Sequence, residues 1–305
     1  MSKKVAVLGY GAVGRAVAAA LAARGDSVRI AQRARPASMP PGALFESTDL
    51  THAAASARAC KHVDAVMLCV GFPYDSETWE RLWPATMKNV IAGCSASGAR
   101  LIFADNLYMY GPQTAPLRED MPLTDYGRKP RVRAAITRLW QEAHAAGRVR
   151  ATAVRASDFY GPGVENSVLT QYGIERLKAG KPALVPYSPD LPHDYTYVPD
   201  FARAMLTLLD APDECYGQAW HCPNAPTRTL RDILTEAAAL LNVKPRINVL
   251  PSALYGFMAM MSPPLRELAE MRFQTDRPYI VDTQRFRARF WSDATDWATG
   301  LRATA

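Results

Sequence analysis

The chain has 305 residues, 49% hydrophobic and 21% charged, an ordinary globular composition that excludes a disordered or low-complexity protein. That length suits one large domain with a smaller lobe. A formal net charge of +7, scattered except at Arg128, Lys129, Arg131 and Arg133, argues against a nucleic-acid partner. The cysteines Cys60, Cys69, Cys94, Cys215 and Cys222 are odd in number and form no CxxC pair. They read as free thiols in a reducing cytoplasm. The histidines His52, His62, His144, His193 and His221 show no metal spacing. "MSKK" leads straight into a motif, so no signal peptide is expected. No apolar run reaches the ~18 residues of a membrane span. "ALYGFMAMM" at 253–261 stops at Pro263-Pro264 and reads as a buried helix or lobe contact.

In chain order, "KVAVLG" is a β-branched strand and "AVGRAVAAALAARG" a helix ending at Gly25. "SVRIAQR" is a second strand and "ALFESTDL" a third, at an edge. "THAAASARACKH" is helical and "DAVMLCVG" a fully apolar strand. "WERLWPATMKNVIAGCSASG" is a helix with Pro84 near its first turns, and "RLIFADN" is the next strand. A helix begins near 129, and "RVRATAVRASDFYGPG" holds another strand. Strands alternating with helices predict an α/β fold, a doubly wound parallel Rossmann sheet. After about residue 165 the rhythm breaks into a smaller, mostly helical C-terminal substrate lobe. The expected division is 1–165 plus 183–218 for dinucleotide binding, and 166–182 plus 219–305 for the lobe.

"VAVLGYGAVGRAVAAAL" places Gly9, Gly11 and Gly14 in G-x-G-x-x-G spacing between a strand and a helix, the context that gives this motif meaning. Gly9 permits the tight turn, Gly11 lets a pyrophosphate approach the backbone, and Gly14 lets the helix pack on the strand. Tyr10, Ala12 and Val13 complete the turn, whose free N–H groups face the phosphates. At the end of the second strand stand Gln32, Arg33 and Arg35. A carboxylate there would bind the ribose 2′-hydroxyl of NAD. None is present, and Arg33 can clamp a 2′-phosphate. NADP is therefore the expected cofactor, with NAD possible. Asp49 and Leu50 after the third strand, and Val70 and Gly71 after the fourth, complete the expected cofactor surface.

The chain resembles the extended short-chain dehydrogenase/reductase family, the NAD(P)-dependent sugar-nucleotide epimerases and dehydratases. The resemblance rests on the glycine motif, on Asp49-Leu50, and on "YMYGP" at 108–112, similar to the family's "VYG". It rests also on "RASDFYGPG" at 155–163, and on "HDYTYVPDFARAM" at 193–205, similar to "RDFVHVDDVARA". It implies a Ser or Thr that binds the reacting oxygen, a Tyr that exchanges the proton, and a Lys four residues later. Here the Ser/Thr position falls on Asn106, which donates hydrogen bonds but relays no proton. In "DYGRKPRVRAAITRLW", Val132, Ala135, Ile136, Leu139 and Ala143 share a helical face. Laid on the family's helix, that face puts the tyrosine position on Lys129 and the lysine position on Arg133. Arg133 can hold a ribose or phosphate but stays charged. Pro130 fits the first helical turn and leaves Lys129 at the helix start, with Tyr126 in the loop before it.

The usual Tyr-Lys dyad is thus absent. Tyr126, Tyr108 and Lys129 remain as proton-transfer candidates, with Asn106 beside them. His193 and Tyr195, where the chain enters the lobe, are candidate substrate contacts. Two readings follow. One is an NAD(P)-dependent oxidoreductase, epimerase or dehydratase acting on a small or nucleotide-linked carbonyl or hydroxyl compound, a possible homodimer with a small-molecule substrate and no membrane partner. The other is an NADP-binding sensor or regulatory protein without catalysis.

Overall fold

The computed structural model describes residues 2–165, 167–250 and 260–304. Residues 253–259 of "ALYGFMAMM" lie outside these; Met260 and Met261, at its end, are exposed. The central sheet is built from β1 (Lys4–Leu8), β2 (Ser27–Gln32), β3 (Leu44–Ser47), β4 (Ala65–Leu68), β5 (Arg100–Asp105), β6 (Ala151–Arg155) and a later strand, β11 (Ala219–His221). Its seven strands run in the order β11-β6-β5-β4-β1-β2-β3, all parallel.

The apolar runs are explained by burial on both faces. In β1, Val5 and Val7 face a core shared with helices α1 (Ala12–Ala23) and α6 (Val198–Asp210). Ala6 and Leu8 face the opposite core, with α2 (Ala53–Ala59), α3 (Ser76–Ser97) and α4 (Lys129–Ala145). Helix α3 starts earlier than its sequence suggests, because Asp75 caps it, accepting from the Thr78 N–H at 2.7 Å. Pro84 is therefore inside the helix rather than near its first turns. Helix α4 starts at Lys129 with Pro130 in its first turn. Its buried face carries Val132, Ile136, Trp140 and Ala143, but also Lys129, Arg133 and Thr137.

The second lobe closes around Leu169, Ile174, Leu177, Ile233, Leu234 and Leu301. It includes a π-helical turn at 168–174, α5 (Glu175–Lys178) and α7 (Leu230–Leu240), the last opened by a Thr229–Asp232 capping box. Two short strands lie where the expected division does not put them. Strand β8 (Ala183–Val185) pairs with β13 (Ile247–Val249) in the lobe. Strand β11, expected in the lobe, covers the outer edge of β6, whose backbone groups would otherwise lack partners. Three-residue strands carry too little periodicity to be assigned from sequence. Between the units run β7 (Asp158–Tyr160), β9 (Pro192–His193), β10 (Tyr195–Tyr197) and β12 (Arg228–Thr229). The cysteines are free thiols. Among the described residues no helix is long and apolar enough to cross a membrane.

Candidate active site

The turn after β1 has the geometry its glycines require. Gly9 has φ +94°, and a Cβ there would lie 2.6 Å from the Val70 backbone. A Cβ on Gly14 would stand 2.1 Å from the Gly9 carbonyl oxygen. Gly11 differs: beyond its chain neighbours, no heavy atom lies within 4 Å of where its Cβ would be. Gly11 is also the N-cap of α1, with no side-chain cap and no acidic residue in the first turn. The first-turn N–H groups are thus available to an anion, with the helix dipole behind them. These residues fit a dinucleotide's pyrophosphate.

Gln32 ties the turn to β2. Its Oε1 accepts from Tyr10 N–H at 3.2 Å, and its Nε2 donates to Ala34 O at 2.7 Å. Arg33 is left exposed, and Arg35 lies over the Phe45 ring at 5.6 Å. Asp49 accepts from Thr51 Oγ1 and N–H at 2.7 and 3.0 Å. Those bonds, with the charges of His52 and Arg33, hold its carboxyl below the usual range. Leu50 is a core residue, Val70 is half-buried and Gly71 exposed. Arg15 reaches from α1 to Gly163 O at 3.0 Å.

At the start of α4 the charges are engaged. Lys129 is fully buried. Its Nζ donates to Ser76 Oγ (3.1 Å), Glu267 O (2.9 Å) and Glu270 Oε2 (2.9 Å), and pairs with the Glu267 carboxylate. Arg133 pairs with one oxygen of buried Asp105 and lies over the Trp83 ring at 4.5 Å. The other Asp105 oxygen takes Arg155 Nε at 3.1 Å. Arg155 also donates to the Tyr110 hydroxyl at 2.6 Å, which in turn donates to His221 Nε2 at 2.9 Å. Nδ1 of His221 donates to Asp282 O at 3.0 Å. Burial, with Arg155 nearby, pushes His221 down to about 3, so its imidazole is neutral.

The three remaining candidates of this region are placed differently. Asn106 Oδ1 accepts from Tyr108 N–H at 3.1 Å, shaping the turn after β5. Tyr108 stacks on Trp79 at 6.2 Å, and burial pushes its phenol above the ordinary range. Tyr126 is 44% exposed. Its hydroxyl donates to Glu270 O at 3.3 Å and its ring meets the edge of Phe273, so it faces the C-terminal segment rather than Tyr108.

The His193 and Tyr195 contacts come together. β10 pairs with β7 so that Tyr195 stands opposite Asp158. His193 Nε2 lies 3.2 Å from Asp158 Oδ2, and its Nδ1 3.1 Å from Gln274 O. The Tyr195 and Tyr279 rings flank it at 4.6 and 5.2 Å. Asp158, which the sequence pattern did not single out, is the one carboxylate of "RASDFYGPG". Nothing local signalled Gln274 or Tyr279. Among the described residues no cluster could hold a metal ion.

The sequence profile of the NAD dependent epimerase/dehydratase family matches residues 5–220. No curated protein matches the sequence. Among solved structures, the Bordetella bronchiseptica enzyme WbmH in complex with NAD+ superposes with TM-score 0.77 at 18% identity, covering 100% of this chain and 97% of that one. UDP-glucose 4-epimerase from Brucella ovis, in complex with NAD, gives TM-score 0.81 at 16% identity, covering 100% and 98%. MoeE5 in complex with UDP-glucuronic acid and NAD gives 0.81 at 18%, covering 99% and 97%. At these identities the superpositions establish the Rossmann-type fold, and the profile match establishes more: this chain belongs to the NAD dependent epimerase/dehydratase family.

Proposed function

We propose that the protein is an NAD(P)-dependent enzyme that oxidises, reduces or epimerises a small or nucleotide-linked carbonyl or hydroxyl compound, without the usual Tyr-Lys pair. The observation that carries this is the open, uncapped α1 N-terminus at Gly11. The NAD complexes of WbmH and of the Brucella ovis epimerase support a dinucleotide there. When bound, it would supply or accept hydride. The residues that hold it would be Gly9, Gly11 and Gly14 with α1. Exposed Arg33, with no carboxylate at the end of β2, favours NADP over NAD. Lys129 and Arg133 are engaged in buried ion pairs, so neither is the proton donor.

The same ion pairs support a second reading, a dinucleotide-binding protein without catalysis. Absorbance of NADPH followed against a panel of aldehydes, ketones and nucleotide sugars separates the two. Consumption with any member supports the enzyme. Tight NADPH binding with no consumption across the panel supports the sensor.

A further inference from the structure

The imidazole of His193 sits between two acceptors. Nδ1 faces the Gln274 carbonyl oxygen at 3.1 Å and Nε2 faces Asp158 Oδ2 at 3.2 Å. A carbonyl oxygen only accepts, so Nδ1 carries a hydrogen. An ionised carboxylate also only accepts, so the second contact holds another hydrogen, either on Nε2 or on Oδ2. A hydrogen bond across this contact therefore uses one hydrogen beyond the one on Nδ1, which gives the pair a proton to pass on. His221 shows the contrast. Its Nδ1 also donates to a carbonyl, but its Nε2 faces a tyrosine hydroxyl able to donate. That histidine needs one hydrogen only.

His193 is 4% exposed, whereas the Asp158 side chain is 38% exposed. Asp158 opens β7, just beyond the end of β6, at the sheet edge where ligands bind in open α/β folds. The groups around the pair do not compete with it. Tyr195 and Tyr279 flank His193, and the Asp158 charge bears on Tyr74, Tyr108 and Tyr187. Burial keeps all five phenols protonated. Asp194, next along the chain, accepts the Val281 N–H at 2.7 Å, and burial pushes its carboxyl up. Among the described residues, His193 is the ion partner of Asp158.

We infer that the Asp158–His193 pair is the proton-transfer centre of this protein, with Asp158 the catalytic residue facing substrate and His193 the positioning residue behind it. The inference rests on the enzyme reading above. Reduction of a carbonyl adds a hydride, with its two electrons, to carbon and a proton to oxygen. A bound reduced nicotinamide would supply the first, and the pair supplies the second. His193 is left neutral beside an Asp158 carboxylate, and water at the exposed edge of Asp158 returns the proton. Alcohol oxidation is the reverse.

Two measurements test this. The first needs no substrate: nitrogen NMR of imidazole-labelled protein at neutral pH, with infrared spectra of parent and Asp158→Asn. The expected result is either a doubly protonated His193 or a protonated-carboxyl band that disappears in the variant. A neutral His193 beside an ionised Asp158 overturns the proposal. The second is turnover with NADPH and the panel above. Asp158→Asn should lower kcat at least ~100-fold while cofactor affinity and KM stay within about threefold, and Asp158→Glu should recover part of it. His193→Gln should alter the pH profile of kcat, which a merely structural histidine would leave in place. Full turnover in Asp158→Asn overturns the catalytic role alone. A parent inactive on the whole panel overturns the enzyme reading and the catalytic role with it, while the spectra still report whether the pair holds a proton.

Discussion

The glycine turn after β1 and the start of α4 both lie at the carboxyl edge of one parallel sheet, and they are built in opposite ways. At the start of α1 the first-turn backbone donors are open: Gly11 has open space before it, and the helix N-terminus has neither a side-chain cap nor an acidic residue in its first turn. At the start of α4, the buried charges have partners. Lys129 is enclosed by Glu267, Glu270 and Ser76, and Arg133 shares Asp105 with Arg155. Anion binding needs donors with nothing bound to them. Proton exchange needs a group free to change charge. The turn meets the first requirement, and the engaged Lys129 and Arg133 do not meet the second.

The comparison breaks most visibly at Asp105. Asp105→Asn would leave Arg133 and Arg155 buried without their shared carboxylate. Breaking a buried pair in this way costs about 3–5 kcal/mol. Urea unfolding of the variant should show a loss of that order. A loss below about 1 kcal/mol would show that the α4 charges are not an interlocked structural unit.

The next effect sharpens the open side. NADPH should bind more tightly than NADH. Arg33→Ala should remove about 1.5–3 kcal/mol of that preference, a ten- to hundredfold change. Parallel titrations of both cofactors check this, and an unchanged ratio would make Arg33 a surface residue only.

The buried network also makes a pH prediction. His221 is held neutral, with its folded pKa pushed down to about 3, whereas the unfolded chain takes up its proton near about 6.5. The unfolded state therefore binds more protons as pH falls below the unfolded value. Stability is full above that value and is lost as pH falls toward the folded one, at up to about 1.4 kcal/mol per pH unit. Denaturant midpoints across that window should fall with this slope, and His221→Gln should flatten it. Equal slopes in the two proteins would remove His221 as the cause.

The smallest effect belongs to Tyr126. Its hydroxyl lies on the outer side of the Lys129 cluster, donating to Glu270 O. Tyr126→Phe should change turnover by less than about twofold. A ~100-fold loss would return proton transfer to the loop before α4.

What could be read from the residues follows physical locality. The glycine turn and the alternating strands are local patterns, visible in runs of ten to twenty residues. Tyr126 is a candidate acid that stands close in sequence to Lys129 and Arg133. It loses that ground in three dimensions, because both cations are engaged elsewhere and the phenol faces Glu270 O. The Asp158–His193 pair joins residues 35 apart, and its carbonyl partner on Gln274 is 81 residues further along. No periodicity reports a contact of that kind. Strands β8 and β11 escaped for a related reason, since their partners rather than their composition assign them to a unit.

The central claim is that this chain keeps the family's dinucleotide turn intact. Calorimetric titration of NADPH into the parent and into Gly11→Val tests it most directly. Gly11 has φ outside the left-handed region and no atom crowding its Cβ position, so the variant should fold. The parent should bind, and the variant, with a branched side chain where the pyrophosphate approaches, should lose at least ~100-fold in affinity with an unchanged unfolding midpoint. No binding by the parent, or equal affinity in the two proteins, would contradict the account.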